Sequence, residues 1–173
     1  MRNEPAYFSY RAPFGRIWIA LVSGAVCRVS LKDDKEGFLE LLVSRSGRDP
    51  FYQESPFIHK ALDRYFKKDR EALAGLDTIF IWGTAFQQLV WQTLREIPYG
   101  QTRSYAWLAA EIGSPGACRA VGSASRANPL PLIFPCHRVI KADGGLGGYM
   151  GSGNQGEKIK RFLLNLEKEP GNQ

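Results

Sequence analysis

Cysteine and histidine are scarce in this chain, and their scarcity excludes several kinds of protein. The 173 residues hold 3 cysteines and 2 histidines. Cys27, Cys118 and Cys136 are odd in number and widely spaced, which argues against a disulfide framework and against a zinc site of paired cysteines, even with His59 and His137 added. No metal is expected. Long apolar runs are missing too. None approaches the roughly 20 residues a spanning helix needs, and the opening stretch MRNEPAYFSY lacks the apolar core of a secretory signal. A cytoplasmic protein with no membrane partner is expected. Internal repeats are absent, and the glycines form no Gly-Lys-Ser or Gly-Lys-Thr phosphate loop.

What is present is enough apolar material for a real core, 44% of residues, and a net charge of +6 that admits a polyanionic partner without requiring one. The first third reads as a meander. Residues 6–10, 16–22 and 25–31 are rich in β-formers and are broken by APFG and SGA, where glycine and proline supply turns. Helical stretches follow in EGFLELLVS and in SPFIHKALDRYFKK. In the second, Ser55 caps, Pro56 takes the first position, and Phe57, Ile58, Leu62, Tyr65 and Phe66 share a face. TIFIW, residues 78–82, is expected to close this module as a strand.

Gly83 begins a second module of helical character. Thr84 can cap a helix in which Phe86, Leu89, Val90, Leu94 and Ile97 recur at helical spacing before Pro98 stops it, a stripe that reads as core. Two short helices follow around GSPG: Ser104 caps the first, which buries Leu108, Ala109 and Ile112, Gly113 ends it, and Ser114 with Pro115 starts the second. So tight a joint predicts a helix-turn-helix. The second helix, ACRAVGSASRA, is small residues apart from Arg119 and Arg126, a composition suited either to close packing or to close approach to a phosphate backbone. A glycine-rich loop with an Asp-Gly turn signal and a terminal helix, with Ile159, Phe162, Leu163 and Leu166 inward, complete the chain. The expected fold is α/β (α+β): a small mixed sheet-and-helix domain over residues 1–82, then a mainly helical domain containing the helix-turn-helix over 83–173.

FPCHRV, residues 134–139, holds the residues that carry chemistry. Apolar LPLIFPC is compatible with a core strand that ends in a buried thiol. Against that stand His137 and Arg138, because a thiolate is the reactive form of cysteine and only about 3% of a thiol with pKa near 8.5 is ionised at pH 7. Neighbours on a strand point opposite ways, so on an extended segment His137 serves Cys136 only through a bend or a water.

PCHRV, preceded by RAVG and NP, with FQQLVWQTLREIPYGQTRSY upstream, closely resembles the 6-O-alkylguanine-DNA alkyltransferases. The match is collinear from about Thr84 to Glu167. The resemblance implies a cofactor-free, single-turnover repair protein, a monomer on double-stranded DNA containing alkylated guanine. It implies that Cys136 accepts the alkyl group with a pKa lowered toward about 7, that a water joins the thiol to His137, and that Glu167 orients His137. Tyr105 matches a tyrosine that donates to the guanine ring nitrogen, Asn128 a hinge asparagine, and Arg119 an arginine that fills the gap left by a flipped base. Arg126, Ala120, Gly122 and Ser123, with Tyr105, are the implied DNA contacts in the minor groove, while Val139, Tyr149 and Met150 line the implied base pocket.

Departures from the family are confined to one segment. The stretch from Tyr149 to the terminal Leu-Leu is longer than usual, and Met150 stands where a small polar residue is common. A lesion sensor of the alkyltransferase-like kind is the alternative function, but such proteins replace the acceptor cysteine and Cys136 is intact. A thiol hydrolase would also use a cysteine and a histidine, whereas a plain helix-turn-helix regulator has no need of PCHRV.

Overall fold

Residues 17–22, IWIALV, read as an unbroken apolar run because both faces of their strand are covered. In the computed structural model, which describes residues 4–149 and 154–168, β2 (Gly15–Val22) runs antiparallel between β1 (Ala6–Ala12) and β3 (Ala25–Ser30). A short β4 (Phe51–Tyr52) adds parallel to β1 and gives the order β3-β2-β1-β4. On one face Tyr7, Trp18, Ala20 and Cys27 cluster with Phe38 and Leu42 of α1 (Lys35–Ser46). On the other, Phe8 stacks on His59 and Tyr10 on Phe66, both from α2 (Pro56–Phe66). Each large side chain so buried stabilises the fold by about 1.5–3 kcal/mol.

The helix starts follow from their caps. Asp34 accepts from Gly37 N at 2.9 Å to begin α1, and Ser55 caps α2 with Pro56 behind it. Two expectations fail here. Phe57 is 67% exposed: it belongs to the first turn, and the inward face of α2 is Ile58, Ala61, Leu62 and Tyr65. Residues 78–82 form no strand. Val26 donates to Asp77 O and accepts from Ile79 N, a single bridge at Thr78, after which Ile81 packs on the core and Trp82 stacks against Arg28. Side-chain packing, rather than a hydrogen-bond ladder, sets that path.

Two compact units result, residues 1–82 with 129–133, and 83–128 with 134–173. The second opens on α3 (Ala85–Leu94), where Thr84 and Gln87 form a reciprocal capping box. Its inward face is Val90, Trp91 and Leu94, with Ile97 beyond, while Leu89, expected inside, is 45% exposed. A buried indole needs an acceptor. Trp91 Nε1 finds the Ala124 carbonyl at 2.7 Å, which fixes the rotation of α3 and turns Leu89 outward.

Ser104 caps α4 (Tyr105–Glu111), accepting from Trp107 N at 3.0 Å; Leu108 and Ala109 are buried there, and Ile112, just past the helix, is half-buried. The next helix, α5 (Cys118–Arg126), begins later than Ser114 and Pro115 would place it. Ala117 N bonds to Ser114 O, closing a turn, and Ala117 caps without a side-chain bond. Residues 129–135 run through turns with Leu132 at φ 76°, not as the extended segment expected, and lead to a single 3-10 turn, Cys136–Arg138. Then β6 (Val139–Ile140) pairs in parallel with β5 (Arg103–Ser104), the Asp143-Gly144 turn closes as expected, and α6 (Asn154–Glu167) ends the described chain. The mixed α/β architecture with a helical second part is the one the sequence predicts. No helix among the described residues is long and apolar enough to cross a membrane.

Candidate active site

Three consecutive polar side chains, Cys136, His137 and Arg138, are buried from one 3-10 turn, at 8%, 0% and 9% exposure. Proline forces the turn. Pro135 is its N-cap, and its carbonyl accepts from Arg138 N at 2.9 Å. Such a turn spaces its residues about 120° apart, so Cys136 and His137 diverge into different surroundings rather than to the opposite faces that an extended segment would give them.

His137 and Arg138 meet Glu167 of α6. His137 Nε2 is 2.8 Å from Glu167 Oε1, Arg138 Nε donates to Oε2 at 2.8 Å, and Arg138 Nη2 to Oε1 at 3.1 Å. Gly100 N approaches Oε2 at 3.4 Å. A side chain at position 100 would collide, since a Cβ there would stand 2.7 Å from the Glu167 carbonyl oxygen. Burial works to raise the Glu167 carboxyl, but His137 and then Arg138 outweigh it and hold the group well below the usual carboxylate range. Burial lowers His137 against the pull of Glu167, so the ring is neutral. An ionised Glu167 accepts only, so Nε2 carries the proton and Nδ1 keeps a lone pair. Among the described residues Nδ1 has no hydrogen-bond partner.

Cys136 faces a second set of groups. Asn128, Lys160 and Tyr149 are the groups around the thiol that favour its ionised form. These three, with a backbone hydrogen bond, pull the thiol down, but burial pushes it up by more. Burial thus works against the fall toward neutrality that the resemblance implies and favours the protonated thiol. Asn128 also holds the turn, donating from Nδ2 to Phe134 O at 2.7 Å.

Tyr105, first residue of α4, stands between two glycines. A Cβ at Gly122 of α5 would be 3.8 Å from its ring, an ordinary contact, whereas one at Gly147 would be 2.9 Å from its Oη, at a backbone φ of +69° that favours glycine. Burial, then the charge of Cys136, raises the phenol, which is a donor at neutral pH; Arg126 works the other way. Arg119, Ala120, Ser123 and Arg126 are exposed and Gly122 is half-buried. Asn128, Tyr149 and Tyr105 are thus electrostatically coupled to Cys136, with Arg126 acting on Tyr105, while His137 is held by Glu167. Val139 is fully buried, Tyr149 is 5% exposed, and Met150 lies outside the described residues.

Two charged residues went unassigned in the sequence. Arg138 is the second partner of Glu167 and also donates to Ile97 O at 2.7 Å. Lys160 is fully buried, with Nζ bonded to the carbonyls of Val139, at 2.6 Å, and Leu146. The signal for it was its place two helical turns before Glu167, on the same face of α6. Among the described residues no three His, Cys, Asp or Glu side chains converge to hold a metal.

Residues 85–169 match the family model described as 6-O-methylguanine DNA methyltransferase, DNA binding domain. The constitutive Methylated-DNA--protein-cysteine methyltransferase of Bacillus subtilis is 39% identical over 166 residues, 94% of each chain. A crystal structure of Mycobacterium tuberculosis O6-methylguanine methyltransferase superposes with a TM-score of 0.77 at 36% identity, over 97% of this chain and 96% of that one. Another, of Mycobacterium tuberculosis OGT in complex with DNA, gives 0.76 at 35%, over 94% and 92%. With such identity over nearly the whole of both chains, this protein belongs to the methylated-DNA–protein-cysteine methyltransferase family.

Proposed function

We propose that this chain repairs DNA by moving an alkyl group from the 6-oxygen of guanine, and from the 4-oxygen of thymine, onto Cys136, once per molecule. The observation that carries this is the surroundings of one thiol: Cys136 is electrostatically coupled to Tyr105, Asn128 and Tyr149, and is followed by a neutral histidine held by Glu167. In the transfer, Cys136 Sγ forms a bond to the alkyl carbon as the bond from that carbon to the guanine oxygen breaks, and the electron pair of the broken bond passes into the base. The thiol proton travels through a water to His137 Nδ1, and Tyr105 gives its proton to the guanine ring nitrogen, so the base leaves neutral; solvent then returns a proton to the Tyr105 phenolate as the His137 imidazolium releases the one it took.

A thiol that rests protonated makes the relay necessary. Each pKa unit above ambient pH costs about 1.4 kcal/mol in thiolate population, so the proton must be taken during the reaction rather than beforehand. His137 suits that task because burial keeps its ring neutral with a lone pair at Nδ1, while Arg138 balances the carboxylate. The chain reaches the base as a monomer through α5, whose exposed Ala120 and Ser123 and half-buried Gly122 allow close approach in the minor groove while Arg119 takes the place of the flipped base. Asn128 holds the turn in register and Val139 frames the base edge.

Intact mass before and after incubation with an oligonucleotide containing methylguanine tests the reading. The expected result is one added methyl, on the peptide containing Cys136, and none after Cys136→Ser, with duplex affinity within a few-fold of wild type. Methyl on Cys27 or Cys118, or DNA binding with no gain in mass, would replace the transferase by another activity or by a lesion sensor.

A further inference from the structure

Lys160 is the buried cation that the proposed reaction leaves without a part. It sits in the inward stripe of α6 with Gly156, Ile159, Leu163 and Glu167, where an apolar side chain would fill the space. Its exposure is 0%, and among the described residues it has no carboxylate partner. A buried charge of this kind is strongly disfavoured unless its hydrogen bonds are made. Two of its three donors are accounted for. Nζ donates to Val139 O at 2.6 Å and to Leu146 O, and stands 5.9 Å from the Tyr149 ring centroid.

These carbonyls belong to two different segments. Val139 begins β6 directly after the turn that carries Cys136, and Leu146 lies in the loop that brings Gly147 against Tyr105 and includes Tyr149. Positions 144, 145, 147 and 148 are glycines without side chains, so the loop is otherwise fastened through its backbone, by the turn bonds of Lys141 and Asp143 and a long one from Tyr105 Oη to Gly148 O at 3.5 Å. We infer that Lys160 is the positioning residue of the base pocket: its ammonium ties α6, β6 and the glycine loop together, so that the rim is set against Tyr105 and beside Cys136 before a base arrives. The inference rests on the proposed function for the identity of the base.

Charge is what makes the tie. Burial lowers Lys160 to about 8, with Cys136 pulling the other way. The groups that face it are Cys136 and His137 from the turn and Tyr149 from the loop, while Glu167 on its own helix is engaged by Arg138. Above that pH the neutral amine is a weaker donor and the rim loosens.

The test compares Lys160→Met and Lys160→Arg with wild type by single-turnover reaction with free benzylguanine and by hydrogen exchange. Lys160→Met should raise the half-saturating concentration about tenfold or more with a smaller fall in the limiting rate, and should deprotect residues 144–149 while α3 and α4 keep their protection. Lys160→Arg should recover part of the affinity. In a Cys136→Ser background, which removes the titrating thiol, base affinity should fall between pH 7 and 9 with Lys160 present and stay level with Met in its place. Unchanged half-saturation in Lys160→Met, or deprotection spread over the whole unit, would overturn the assignment. If wild type gains no alkyl group, the proposed function fails instead, and the exchange measurement still decides whether Lys160 holds the loop.

Discussion

Nε2 of His137 lies 2.8 Å from Oε1 of Glu167, and neither side chain is more than 1% exposed. The same carboxylate carries Arg138, so one acidic residue on α6 fixes a neutral ring and balances a buried cation presented by a single turn. Glu167 thus sets the orientation of His137, while burial keeps the ring neutral against the pull of that carboxylate. Arg138 works with burial against the pull of Glu167, which keeps the lone pair at Nδ1 available.

Glu167→Gln should therefore affect both stability and rate. It leaves Arg138 buried without its counter-charge, a change of about 3–5 kcal/mol by analogy with broken buried pairs, measured by urea titration at pH 7. The dependence on pH has two parts. His137 is lowered on folding, so the unfolded chain takes up its proton first and stability falls as pH drops below about 6.5. Glu167 is lowered too, so its contribution is present above about 4.3 and is lost as pH falls toward its depressed folded value. Wild type should lose stability in both ranges, and Glu167→Gln should lack the second loss. An unchanged acid limb would mean that the carboxylate is not held as described.

Asn128→Ala should be felt at the thiol more than at DNA. Its side chain donates to Phe134 O at 2.7 Å and is one of the groups around Cys136, so one truncation loosens the turn and removes a group that favours the thiolate. A buried carbonyl losing its donor costs about 1–3 kcal/mol. Urea titration should show that loss, and single-turnover methylation should slow while duplex affinity stays within a few-fold. Equal losses in affinity and rate would place Asn128 in the DNA contact instead.

Caps and turns were legible in the sequence because they are local: Ser55, Thr84 and Ser104 begin their helices as read. Rotations were not. Phe57 and Leu89 fit the helical period yet face solvent, because the period defines a stripe while contacts such as Trp91 to Ala124 decide which edge of it is buried. The 3-10 turn at Cys136 was hidden for a similar reason, since apolar LPLIFPC has the composition of a strand while its path is set by the positive φ of Leu132 and by Pro135. Lys160 escaped notice because burial of a lysine depends on carbonyls from two distant segments, which no local pattern records.

Repair should be stoichiometric and indifferent to chelators. A thioether on Cys136 has no easily ionised leaving group, and among the described residues no metal-binding cluster exists to assist its cleavage. Titration with excess methylated duplex should end at one methyl per chain by mass, with the same rate in the presence and absence of a chelator. Multiple methyl groups released per chain, or a rate lost to the chelator, would contradict the reaction written for Cys136.

Arg119 separates binding from base extrusion. It is exposed on α5, one residue into the helix, with Ala120 and Ser123 beside it, so nothing in the unit's own core depends on it. If its side chain occupies the space of a flipped base, it offsets an unstacking cost of a few kcal/mol that exists only in a duplex. A free alkylated base carries no such cost. Arg119→Ala should thus slow repair of duplex DNA by about one order of magnitude or more, while reaction with free benzylguanine stays near wild type, both measured as single-turnover rates at saturation. A phosphate contact alone would behave differently: duplex affinity would weaken with a smaller salt slope, and saturating DNA would restore the rate. If both rates fall together, Arg119 shapes the thiol pocket and α5 is not the element that opens the duplex.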